Sequence, residues 1–125
     1  MSVQHPLARA KGLGSAKGGT GHWWALRLSS IALALLTPWF VVFAIGMAGV
    51  DADTARAAVA RPLTATLLAT FVATLFWHVQ QGLQVVIEDY VHGAAELALQ
   101  VLVKFVCAVS VVASQLAIGR IVFAA

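Results

Sequence analysis

A chain of 125 residues is long enough for one domain, but 61% of its residues are hydrophobic and only 10% are charged. Soluble domains carry about 25% charged residues, so a mean hydropathy of +0.90 excludes an ordinary water-soluble fold and makes lipid the expected solvent. The net charge of +3 comes from few residues and suits the basic flanks of membrane spans better than nucleic-acid binding.

In chain order, residues 1–21 are rich in glycine, with Arg9, Lys11 and Lys17 spread among them. They read as a mobile or extended cytoplasmic arm. A cleaved secretory signal is not expected, because the apolar run that follows has full spanning length. That run is a first span over about residues 28–50, approached through His22, Trp23, Trp24 and Arg27. Pro38 inside it removes a backbone donor and predicts a kink. Residues 51–61 form a hydrophilic break. A second span covers about residues 63–87, with Pro62 suited to its first turn. After a short break at 88–93, a third span covers about residues 94–123. The expected fold is therefore all-α and integral to the membrane: a three-helix anchor domain over residues 22–125, sitting in a larger helical bundle.

Three spans put the termini on opposite faces. Arg9, Lys11, Lys17 and Arg27 precede the first span, and only Arg56 and Arg61 lie in the first loop. The bias predicts a cytoplasmic amino terminus and a carboxyl terminus outside, with Trp23 and Trp24 in the interfacial belt. The lone Cys107 supports neither a disulfide framework nor a thiolate metal site and reads as a small buried residue.

Chemistry concentrates in the second span and at its end. His78 falls near the middle, where an ionisable side chain faces a protein interior, a cofactor or a water-filled cavity. At 100° per residue, Gly82 and Val85 share its face. Asp89, eleven residues on, returns to within about 20° of His78 and lies about 16 Å further along the axis, with Tyr90 beside it. A neutral imidazole is a good axial ligand for haem iron, and a glycine one turn away leaves room for a flat macrocycle. A phenol at the membrane edge can donate to a quinone carbonyl while a neighbouring carboxylate orients it or relays protons. Taken singly, each feature has a plainer reading: a histidine bonded to another helix, and a helix end with an interfacial aromatic.

Together, His78, Gly82, Asp89 and Tyr90 at the end of the second of three spans resemble the small membrane-anchor subunit of bacterial succinate dehydrogenase, respiratory complex II. Gly14-Ser15-Ala16, His22-Trp23-Trp24 and Arg27-Leu28-Ser29-Ser30 also look similar to that family's approach to the first span. The resemblance implies that His78 is an axial ligand of haem b and that Tyr90, with Asp89, binds ubiquinone. Arg27 would pair with a haem propionate or line the quinone entrance, unless it is a topology-setting charge at a span end. The resemblance further implies a flavoprotein with FAD, an iron–sulfur subunit and a cytochrome b subunit as partners in the bacterial inner membrane. This chain has neither a nucleotide-binding glycine fingerprint nor a cysteine cluster, so those cofactors would belong to the partners. His5, His22 and His92 lie outside the expected spans, so a second axial histidine would come from another polypeptide.

The second nitrogen of His78 is expected to bond a backbone carbonyl about one turn earlier. Gln80, Gln81 and Gln84 are expected to face other subunits or the haem edge. Glu96, Gln100 and Lys104 share one face of the third span and suggest a contact with the iron–sulfur subunit, a water path or a snorkelling stripe. Ser110 and Ser114 have the spacing of a close helix contact. A fumarate-reductase anchor and a haem-free structural subunit of another complex remain the alternatives.

Overall fold

The computed structural model describes residues 17–124, with side chains from residue 20 onward. His5, Arg9, Lys11 and the Gly14-Ser15-Ala16 stretch lie outside the described residues. Four helices follow one another: α1 (Lys17–Met47), α2 (Ala52–Ala60), α3 (Pro62–Tyr90) and α4 (Ala94–Phe123). Among the described residues there are no strands, and α1, α3 and α4 are long and apolar enough to cross a membrane.

Helix α1 begins inside the expected arm and continues through Pro38. It stops at Met47 rather than residue 50 because Gly49 adopts a positive φ of 81°, which carries the chain into a turn closed by Ala48 N–H donating to the Ile45 carbonyl. Helix α2 lies where a hydrophilic break was expected. Its start is nevertheless locally encoded: the Asp51 carboxylate accepts from the Thr54 amide at 3.1 Å and from the Thr54 hydroxyl at 2.6 Å. Arg61 is extended, as a residue before proline prefers, and Pro62 opens α3 where its missing N–H is harmless. Helix α3 then runs to Tyr90, which brings Glu88, Asp89 and Tyr90 into its last turn. Gly93, with φ 78°, makes the tight reversal into α4.

Helix α3 is central and packs against each of the other three. Two contacts fix its antiparallel register on α1: Ser29 meets His78, and Phe40 stacks on Phe71 with ring centroids 4.5 Å apart. On its other side, the Gln115 side-chain amide donates to the Ala69 carbonyl at 2.9 Å, which pins α4. The buried set is small: Ala65, Phe71 and Ile87, with two polar residues, Ser29 and Gln81. Large apolar side chains point outward instead, Val42 and Leu63 among them. In water that surface would aggregate; in hydrocarbon it is the expected exterior.

Two outcomes test this packing. Replacing Gln115 with leucine should weaken the α3–α4 pair by about 0.6 kcal/mol, the mean for an interhelical hydrogen bond in a membrane, read as a lower midpoint in detergent unfolding. At the α2 cap, the Thr54 hydroxyl and amide hold the Asp51 carboxyl below its ordinary value. Its contribution is therefore complete above the ordinary carboxylate range and is lost as pH falls through the lowered value. Protection of the amides at the start of α2, relative to their intrinsic exchange at each pH, should fall in acid, and Asp51→Ala should show that lower protection at neutral pH.

Candidate functional site

His78 lies within α3, about 18 Å of helical rise from Tyr90. Its ring is half-buried against α1, where its Nδ1 lies 2.9 Å from the Ser29 hydroxyl. Ser29 is the most enclosed side chain among the described residues, at 2% exposure. Its oxygen also lies 3.0 Å from the Leu26 carbonyl, which takes the Ser30 hydroxyl at 2.7 Å as well. The expected backbone-carbonyl partner on α3 is thus replaced by a side chain from a different helix. The physical reason is direction: a carbonyl one turn earlier points along the axis into the helix ladder, whereas the ring leaves the helix sideways into the seam. No hydrogen bond to Nε2 is recorded among the described residues.

Gly82, one turn beyond, is exposed, and a Cβ built there meets nothing within 4 Å. Asp89 and Tyr90 follow on the same continuous helix, exposed at its end, with Tyr90 at 81%. Among the described residues neither has a hydrogen-bonding or ion-pairing side-chain partner. The imidazole, the bare backbone and the carboxylate–phenol pair are therefore strung along α3 as the spacing predicts, but at two depths and not in one pocket.

Arg27 belongs to the inner group. Two residues before Ser29, it lies about 3 Å of rise from the Ser29–His78 level and about 15 Å short of the Tyr90 end. Its guanidinium sits over the Trp23 ring, 5.2 Å from the centroid. That arrangement shields a cation within an apolar helix.

Three polar groups of the α1–α3 region are invisible in the sequence pattern. Ser29 looked like one of two small residues after an arginine. His22, expected at the interface, is half-buried on α1 with its Nε2 enclosed and unpartnered. Gln81, expected to face another subunit or the haem edge, is 6% exposed, and its Oε1 has no hydrogen-bond partner among the described residues. Only the α1–α3 register reveals that these groups turn inward.

The other glutamines serve the opposite side of α3. Gln80 donates to Gln84 at 3.3 Å and Gln84 to Glu88 at 3.0 Å, while on α4 Gln100 donates to Glu96 at 3.3 Å. Gln80 and Lys104 line one groove of about 420 Å³ with Trp77 and Cys107, so Cys107 is half-buried rather than enclosed. The same register sets Gln84 level with Gln100 and Glu88 level with Glu96. The Glu96, Gln100 and Lys104 stripe thus runs alongside a matching polar stripe of α3. Ser114 spends its hydroxyl on the Ser110 carbonyl of its own helix.

The chain's residues fit one face of a haem. His78 offers an anchored imidazole within a span, Gly82 leaves an open strip of backbone beside it, and Arg27 supplies a cation at that level. Among the described residues no three His, Cys, Asp or Glu side chains converge to hold a free metal ion. An iron centre here would have to bring most of its own ligands, as a porphyrin does.

Fold and site together define a class: a three-span membrane subunit presenting a held imidazole inside the bilayer and an Asp–Tyr pair at one edge. Residues 1–117 match the family of succinate dehydrogenase/fumarate reductase transmembrane subunits. The chain belongs to that family. Among curated relatives, it is 37% identical over 74% of its length to the succinate dehydrogenase hydrophobic membrane anchor subunit of Paracoccus denitrificans, covering 72% of that protein. It is 35% identical to the subunit of the same name from Rickettsia bellii, over 68% of each chain. To that from Rickettsia conorii it is 31% identical over 86% of each. No solved structure matches.

Gly82 generates a direct test. A helix-interior glycine costs about 1 kcal/mol relative to alanine, and no described residue comes within 4 Å of a Cβ at this position. Gly82→Ala should therefore stabilise the isolated chain in detergent by that order, seen as a raised unfolding midpoint.

Proposed function

We propose that this chain is the membrane anchor of a succinate:quinone oxidoreductase, a complex II, in a bacterial inner membrane. It would hold the soluble subunits at the bilayer and supply one face of a haem b pocket and part of the quinone site. The observation that carries the reading is the imidazole of His78, fixed within a span by Ser29, in a chain of this family. The names of the relatives favour succinate oxidation over fumarate reduction as the physiological direction.

His78 would ligate haem iron through Nε2, with Gly82 leaving space for the ring and Arg27 facing a propionate. When bound, the haem supplies a one-electron redox centre inside the bilayer. His22 sits on α1 about two turns from Ser29, so among the described residues one histidine lies at the level of that contact. The second axial histidine would then belong to a cytochrome b partner subunit.

Tyr90 would donate its phenolic O–H to a ubiquinone oxygen, and Asp89 would orient the phenol or deliver a proton as the quinone is reduced. Their exposure at the end of α3 supports this, because a quinone and an iron–sulfur subunit must both reach them. A cytoplasmic amino terminus, the orientation favoured by the basic flank of α1, carries α3 from outside to inside. Asp89 and Tyr90 then meet the face on which a flavoprotein and its iron–sulfur partner would dock.

Two variants of the assembled complex test this reading. His78→Ala should abolish the low-spin haem b band in reduced-minus-oxidised spectra of membranes. Tyr90→Phe should keep that band and lower succinate–quinone reductase activity by about 10²-fold, the lower bound for loss of a hydrogen-bond donor to an oxygen that gains negative charge. An unaltered spectrum in the first would leave a haem-free structural subunit, and unaltered turnover in the second would remove Tyr90 from the site.

A further inference from the structure

We propose that Ser29 is the residue that positions His78 for metal ligation, by fixing which of its ring nitrogens carries the proton. This rests on the haem reading above and extends it to a side chain on a different helix.

Counting protons gives the assignment. The Ser29 hydroxyl has one hydrogen and two close neighbours, the Leu26 carbonyl at 3.0 Å and His78 Nδ1 at 2.9 Å. The carbonyl can only accept, whereas Nδ1 donates or accepts according to tautomer. If the hydroxyl donated to Nδ1, the carbonyl would keep its Ser30 hydroxyl donor, but the Ser29 and Leu26 oxygens would face each other 3.0 Å apart with no proton between them. If it donates to Leu26, Nδ1–H donates to the serine oxygen and both contacts are hydrogen bonds. The second arrangement leaves no bare oxygen–oxygen contact at a position that is 2% exposed, with the Leu26 carbonyl shared between the Ser29 and Ser30 hydroxyls.

The consequence falls on the other nitrogen. With Nδ1 protonated, neutral His78 carries its lone pair on Nε2, the atom with no recorded partner. A hydrogen bond from Nδ1–H also raises the basicity of Nε2 and fixes the plane of the ring. Ser29 is a positioning residue: it touches neither iron nor quinone. Its own orientation is set by the helix, since a serine hydroxyl reaching back to the carbonyl three residues earlier lies along the α1 surface. The chain Nδ1–H to Ser29 to Leu26 thus ties the electronic character of the ligand to the backbone of α1.

The test compares threonine with valine at position 29, which match in shape and differ in the hydroxyl. In the assembled complex, the midpoint potential of the low-spin haem is read by potentiometric titration in membranes, with His78→Ala as the reference for loss of the ligand. Ser29→Thr should leave the potential near that of the unmodified complex. Ser29→Val should raise it by about 59 mV, the one-electron equivalent of a tenfold change in relative affinity for the two iron oxidation states. Loss of haem in valine but not threonine supports the proposal equally. Equal potentials in the two variants overturn it while the haem reading stands, provided His78→Ala abolishes the band. If His78→Ala keeps a full low-spin haem, the haem reading itself fails. If neither β-branched variant holds haem, Ser29→Ala is read instead, and a potential equal to that of the unmodified complex overturns the proposal.

Discussion

A polar contact inside a membrane span governs this molecule: the imidazole of His78 against the hydroxyl of Ser29. Hydrocarbon offers no competing water, so a histidine placed there without a partner would cost several kcal/mol. The seam between α1 and α3 supplies that partner, and meeting it sets the register of the two helices. The Phe40–Phe71 stack, three turns away, agrees with that register but could slide with modest loss. The hydrogen bond cannot slide. Much of the later geometry follows, including the depth of Arg27 and the enclosure of Gln81 and His22.

The division of labour around α3 is equally physical. Toward α1 it carries the imidazole, and the region holds two enclosed atoms without hydrogen-bond partners among the described residues, Gln81 Oε1 on α3 and His22 Nε2 on α1. Toward α4 it carries an ordered ladder of amides and carboxylates, each bonded to the next along its own helix. A group that bonds its own helix is self-sufficient in lipid. A group that is enclosed and unpartnered is not, and it needs a ligand, a water or another subunit. That contrast separates structural polarity from polarity that awaits an occupant, although both look alike as glutamine and histidine in an apolar run.

The three spans were legible because apolar runs of bilayer length have few alternatives. The stripe from His78 to Tyr90 was legible because helical periodicity relates positions on one helix. Helix α2 was not, because a nine-residue alanine-rich segment carries no membrane signal; only its Asp51–Thr54 cap marked it, and that local pattern passed for a loop. Ser29 and Gln115 were not legible for a different reason. Each acts across a helix interface, and nothing on α1 or α4 alone says which residue of α3 it will meet. Gln81 and Gln80, adjacent in sequence, illustrate the limit: one is enclosed and the other lines the α4 groove. A helix turns 100° between neighbours, so a single register decides their fates.

The small buried set is itself informative about function. Three apolar residues form the interior among those described, while large apolar side chains cover the outside. Such a chain gains little from its own core and most from its surroundings, so its three long helices are a scaffold for lipid and other chains. That suits an anchor. The features that a scaffold alone does not need are the held imidazole, the unsubstituted backbone at Gly82, the buried orphan atoms of His22 and Gln81, and the bare Asp89–Tyr90 end. All but the last lie on α3 or on the α1 helix packed against it, ahead of the end that Tyr90 occupies. Their alignment along α3 and its α1 seam gives the scaffold a direction, from a held imidazole within a span to an exposed Asp–Tyr pair at its end.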